Sequence, residues 1–101
     1  MHWAVHALSS FSQQRLEKIY GNLTPSRKEH IDRLQKQEDR IRSLAAEALA
    51  LQLLQERYGL TSAQLHRKEN GQPYLTGCEL FVSLSHSGQM VACAVSDQPV
   101  G

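Results

Sequence analysis

A row of residues with almost no polar face sets the first limit on this fold. Residues 44–54 read LAAEALALQLL, and at about 100° per residue their apolar side chains point in nearly every direction. A helix that is apolar all round belongs in the middle of a domain, covered on several sides. The pattern continues to Tyr58 and halts at Gly59, the residue type that suits the left-handed position after a helix. The rest of the chain has to wrap this element, and 101 residues supply about one small domain with a modest core.

Strand-like segments flank it. HWAVHALS, residues 2–9, alternates loosely and is expected to be a strand. Phe11, Leu16, Ile19 and Tyr20 then fall near helical spacing, with Gly21-Asn22 as the stop. Thr24-Pro25 has the form of an N-cap with proline at the first helical position. The charged stretch that follows, SRKEHIDRLQKQEDRIR, is expected to continue as one helix with Ile31 and Leu34 as its apolar contacts. After Gly59 the chain turns β-like. QLHRK is a candidate strand, Asn70-Gly71 a turn and QPYLT a short edge piece, and ELFVSLS and MVACAVS are expected to pair as neighbours. One strand, helices, then several strands is an α+β order. It implies a long central helix packed on one face of a mostly antiparallel sheet. The chain is expected to be a single unit over residues 1–101. Asp97-Gln98-Pro99 forms a turn signal, and Val100-Gly101 looks like the opening of another strand, so the chain is expected to be a piece of a longer one.

Composition narrows the partners. A net charge of +1 gives no general attraction to nucleic acid or to an acidic membrane surface. No apolar run reaches a membrane span and no secretory signal opens the chain. Cys78 and Cys93 lack CxxC spacing, which suits a reduced, cytoplasmic protein. With His86 they make three scattered potential ligands, and no zinc spacing results.

The end of the ELFVSLS segment is chemically dense. SLSHSG, residues 83–88, crowds hydroxyls and an imidazole at a hairpin tip. Serines near a turn commonly cap backbone groups. Ser85 and His86 are neighbours on an extended backbone and point to opposite sides, so they cannot act as nucleophile and base. Hydroxyls, histidine and turn amides are all donors for phosphate oxygens, which makes an anion site the functional alternative. A second set of donors stands at Thr24-Pro25-Ser26-Arg27-Lys28. Cations in a first helical turn oppose the macrodipole, a placement that makes sense where an anion sits. His30 lies one turn from Arg27 on the same face, although Glu29 and Asp32 also permit a plain solvated helix. Arg42 directly precedes the apolar row and needs a partner, either a phosphate or a carboxylate such as Glu38 or Asp39.

These pieces, in this order, resemble the Sfp-type 4′-phosphopantetheinyl transferases of the holo-acyl-carrier-protein synthase superfamily. The TPSRKEH helix start, EDRIRSLAAEALALQLL, NGQPYL, SLSHSG and QPVG follow the family's order and spacing. The family fold has two similar α+β halves related by a pseudo-twofold, and this chain is similar to the N-terminal half. The resemblance implies a magnesium-dependent transferase of fatty acid or secondary metabolite biosynthesis. It would move the phosphopantetheine arm of coenzyme A to a serine of an apo acyl, peptidyl or aryl carrier protein. It further implies that Ser85 and His86 contact coenzyme A phosphates, with His86 near the 3′-phosphate, and that Arg27, His30 and Arg42 are basic contacts. Gly71, Gln72 and Pro73 match the turn beside the adenine. Gln72 and His30 stand where lysine is common, and Ser83 where asparagine is usual. The family's magnesium ligands and general base fall in motifs expected beyond Gly101, so no catalytic residue and no metal ligand is assigned here. The 101 residues alone are expected to be inactive. The competing expectation is a non-catalytic α+β binding module with a charged helical face for a protein partner.

Overall fold

The apolar row forms the middle of a helix, α3, that runs Gln37–Tyr58 in the computed structural model, which describes residues 1–70 and 72–98. Ala45, Ala46, Ala48, Leu49, Ala50, Leu53 and Leu54 are all buried. Burying a leucine of this kind contributes about 1.5–3 kcal/mol, so this helix organises the domain. Gly59 ends it at φ 67. Its N–H returns to the Gln55 carbonyl and the Leu60 N–H to the Leu54 carbonyl, which satisfies acceptors left open at the helix end.

Three strands lie against α3. β1 (His2–Ala7), β4 (Phe81–Ser87) and β5 (Met90–Ser96) form an antiparallel sheet in the order β1-β5-β4. The two-residue period of a strand sorts its side chains. Val91, Cys93 and Val95 of β5 face the helix with Val82 and Leu84 of β4 and Ala4 of β1. Register puts Trp3, Val5, Ala92, Ala94, Ser83 and Ser85 on the other face. No described helix covers that face: Trp3 is 70% exposed and Val5 46%.

Two boundaries differ from expectation. The first strand ends at Ala7 rather than Ser9, and Leu8–Ser10 form a 3₁₀ turn. There Leu8 donates to the Gln89 carbonyl and Ser10 Oγ donates back to the Ala7 carbonyl. The charged segment after Pro25 is divided between a helix that ends at Arg33 and the start of α3, and is not one helix. α1 (Gln13–Gly21) is capped by Ser12, and α2 (Pro25–Arg33) by Thr24. Leu34 then leaves the helical region at ψ 122. Arg40 Nε donates to the Leu34 carbonyl at 2.7 Å, supplying a donor at the break, and α3 begins at Gln37.

β2 (Gln64–Arg67) and β3 (Pro73–Thr76) pair only with each other, as a separate antiparallel two-stranded sheet beside β4. The expected Asn70-Gly71 turn and the strand start at Val100-Gly101 involve Gly71, Val100 and Gly101, which lie outside the described residues. No described helix is long and apolar enough to cross a membrane.

Candidate functional site

SLSHSG is mostly strand. β4 continues through Ser87, and Gly88-Gln89 alone make the turn. Gly88 sits at φ 57, which lets so short a link join two strands. Register places His86 opposite Val91 on the helix side of the sheet and Ser85 opposite Ala92 on the open side. The two side chains therefore diverge, as the strand period requires.

On the helix side, residues of β4, of α2 and of the end of β2 border one space. The three elements bound a cavity of about 840 Å³. Arg27, His30 and Arg33 reach it from α2, and Thr24 and Ser26 from the helix start. His66, Arg67 and Lys68 border it from the β2 end, Ser85 and His86 from β4, and Ser43 and Ala46 of α3 form part of its wall. The cavity thus draws cations from separate parts of the chain onto one space, with Glu29 and Glu69 as the acids on its border. Glu29 is ion-paired with Arg33.

The cations are held in different ways. Arg27 is buried, and its guanidinium meets Glu47 of α3, with Nη2 3.2 Å and Nε 3.3 Å from Oε1. Its backbone N–H donates to the Thr24 hydroxyl. It is thus a buried, paired arginine, not a side chain on a solvated helix face. Glu47 is itself buried. Burial pushes its carboxyl above the ordinary range, while Arg27, and after it Arg67, draw it back. Burial lowers Arg67, Arg27 lowers it further, and Glu47 raises it. His30 is lowered first by partial desolvation and then by Arg27, Arg67 and Arg33. Its imidazole is therefore biased towards the neutral form in a field of guanidiniums.

Of the expected site residues, Arg27, His30, Ser85 and His86 border this one cavity. Arg42 does not. It is ion-paired with Asp39 at 3.1 Å and Glu38 at 3.6 Å, and its Nε donates to the Gly88 carbonyl at 3.1 Å. Of the two partner types the sequence left open, the structure shows carboxylates. Gln72 and Pro73 line a smaller cavity of about 250 Å³, which shares Lys68 and Tyr74 with the larger one. Gln72 N–H donates to Asn70 Oδ1, and Lys68 N–H to the Gln72 carbonyl. Gly71 lies outside the described residues.

Sequence reasoning missed the His66-Arg67-Lys68 run. Its signal was present as three consecutive basic side chains at the end of a candidate strand, but only the fold brings that end beside α2. Tyr74 stacks on His66 with ring centroids 5.2 Å apart, an aromatic pair on the same cavity. Among the described residues no three His, Cys, Asp or Glu side chains converge as a metal-binding group.

Comparison with known proteins identifies a family. A family model described as "4′-phosphopantetheinyl transferase, N-terminal" matches residues 10–98. The chain is similar to the 4′-phosphopantetheinyl transferase Sfp of Bacillus subtilis (strain 168), with 28% identity over 93 residues, covering 89% of this chain and 42% of that protein. It is also similar to a 4′-phosphopantetheinyl transferase of Bacillus subtilis, with 27% identity over 88 residues, covering 84% and 39%. The chain spans about two fifths of the length of these curated relatives.

Proposed function

The chain belongs to the 4′-phosphopantetheinyl transferase N-terminal family, and from that premise we propose that its cavity is the coenzyme A phosphate site of an enzyme that loads carrier proteins. Arg27, His30 and Arg67 meet His86 across one cavity, each from a separate turn or strand. That convergence is the observation that carries the proposal. A phosphate dianion gains most from several charged donors at once, and a cavity of this size admits more than a single phosphate.

Each side chain has a part in the proposal. Arg27 is the fixed guanidinium, His86 the donor to the 3′-phosphate, and His30 a donor whose charge follows the ligand. Ser85 borders the cavity, but register turns its side chain to the open face, so His86 is the donor from β4. Gln72 and Pro73 flank the adenine. Arg42 acts indirectly: its bond to the Gly88 carbonyl stiffens the turn that follows the end of β4, two residues beyond His86. The acceptor is a serine of an apo acyl or peptidyl carrier protein, and the location is cytoplasmic, where the free thiols of Cys78 and Cys93 would stay reduced. Magnesium, if the chain follows the family, takes its ligands from outside the described residues. The chemistry proposed for this chain is anion binding, with the two α+β halves of the family closing over the ligand.

The test compares coenzyme A with dephospho-coenzyme A in the wild type and in His86→Ala. A charge-assisted hydrogen bond contributes about 1.5–3 kcal/mol, so His86→Ala is expected to weaken coenzyme A roughly ten- to a hundredfold. Dephospho-coenzyme A should change far less. Equal discrimination by both proteins would remove His86 from the 3′-phosphate.

A further inference from the structure

Glu47 is the only acid among the buried residues of α3. It stands amid alanines and leucines, where a carboxylate is expensive to bury without a partner. Its partner Arg27 borders two cavities, the 840 Å³ anion cavity and a neighbouring one of about 660 Å³. Glu47 borders only the second. From the anion cavity the guanidinium is therefore in front and the carboxylate behind it. Arg67, half-buried at the end of β2, also feels the Glu47 charge. One carboxylate thus pairs with the guanidinium of Arg27 and acts through its charge on a second, Arg67, from another element.

We propose that Glu47 is the internal counter-ion of the anion site, which holds the arginines in place when no ligand is bound and limits how tightly a phosphate dianion can bind. The inference rests on the cavity being the phosphate site. Two neighbouring guanidiniums repel each other, and a carboxylate between α2 and β2 offsets that repulsion. The same carboxylate acts through Arg27 on any anion in the cavity, and the sign is unfavourable. Ligand-free stability and anion affinity are then set against each other at a single side chain. A residue with a merely structural role behaves differently: losing it lowers stability and affinity together.

Glu47→Gln keeps the shape and an acceptor for Arg27 Nε while removing the charge. The probe is 3′,5′-ADP, followed by calorimetry at low ionic strength with thermal melting alongside. The variant is expected to melt lower than the wild type, yet to bind roughly tenfold tighter, the size of one unit charge several ångströms away at a protein's effective dielectric. The gain should shrink as salt is raised. Equal or weaker binding by Glu47→Gln, with the wild type binding normally, overturns the counter-ion role and leaves the phosphate site standing. No binding by the wild type itself overturns both. Should Glu47→Gln fail to fold, Glu47→Asp keeps the charge at a shorter reach. Its affinity is expected to stay within about threefold of the wild type, and any larger change overturns the proposal.

Discussion

His30 is surrounded by charges of one sign. Partial desolvation and then Arg27, Arg67 and Arg33 hold its imidazole below the ordinary histidine range. The direction fixes two consequences. In the ligand-free protein the folded state disfavours the protonated ring, so the stability that the neutral ring contributes is lost as pH falls below the ordinary value of 6.5. A bound phosphate dianion, mostly doubly charged above its second pKa near 6, reverses the local field and favours the imidazolium. Binding of 3′,5′-ADP near pH 7 is therefore expected to take up protons. Calorimetry in buffers of different ionisation enthalpy reads that uptake directly. His66 and His86 share the cavity, so the informative comparison is with His30→Gln, in which the uptake should fall. The same uptake in both proteins would clear His30 of the role. His30→Lys, already charged, should bind with a flatter pH dependence.

The helix α3 carries the fold, and Leu49 shows how strongly. It is 1% exposed and belongs to the core cluster that α3 shares with β4 and β5. Leu49→Ala should cost about 2–5 kcal/mol, and Leu49→Asp should leave no cooperative melting transition by circular dichroism, because an unpaired buried charge has nowhere to go. An unchanged transition in Leu49→Asp would refute the central packing. Gly77 tests a tighter point. It lies at φ 83, and a Cβ there would sit 3.3 Å from the Ser62 carbonyl oxygen and the Ala63 Cα. Gly77→Ala is expected to cost about 1–3 kcal/mol, visible as a lower urea midpoint. The helix α3 was legible in the sequence because its apolar residues fill every face, and the paired strands β4 and β5 were legible from the apolar runs ELFV and MVACAV. The break at Leu34 was not. Polar residues on both sides of it have no period to interrupt, and its donor, the Arg40 side chain, lies six residues away. The continuation of β4 past Ser85 was masked for a related reason: His86 and Ser87 read as a hairpin tip until a ladder pairs them with Val91 and Met90.

Across the whole molecule, local patterns located half of the site and long-range contacts supplied the rest. Arg27, His30 and His86 stood out as cations and donors in unusual places. That Arg27 would be buried against Glu47, twenty positions along the chain, had no local sign, since an acid within an apolar row looks like a solvated gap. Arg67 and Lys68 joined the cavity only because β2 folds back beside α2. Arg42 shows the converse case: its carboxylate partners were visible three and four residues away, and the structure pairs it with both. Since the chain matches about two fifths of its curated relatives, the 101 residues alone are expected to transfer nothing. Mixed with coenzyme A, magnesium and an apo carrier protein, they should leave the carrier's mass unchanged. A mass increase matching the phosphopantetheine arm would show that these 101 residues are sufficient for chemistry.

The open face of the three-stranded sheet has an optical consequence. Its Trp3 is the sole tryptophan in the sequence, and it stands 70% exposed opposite the small side chain of Ala94. Indole emission shifts with the polarity around the ring, so the isolated chain should fluoresce at the red, water-like end of the range. Anything that settles on that face would drive the emission to the blue and slow its quenching by acrylamide. Ligands confined to the cavity on the helix side would leave it where it was. One spectrum can thus distinguish events on the two sides of a sheet only a single layer thick.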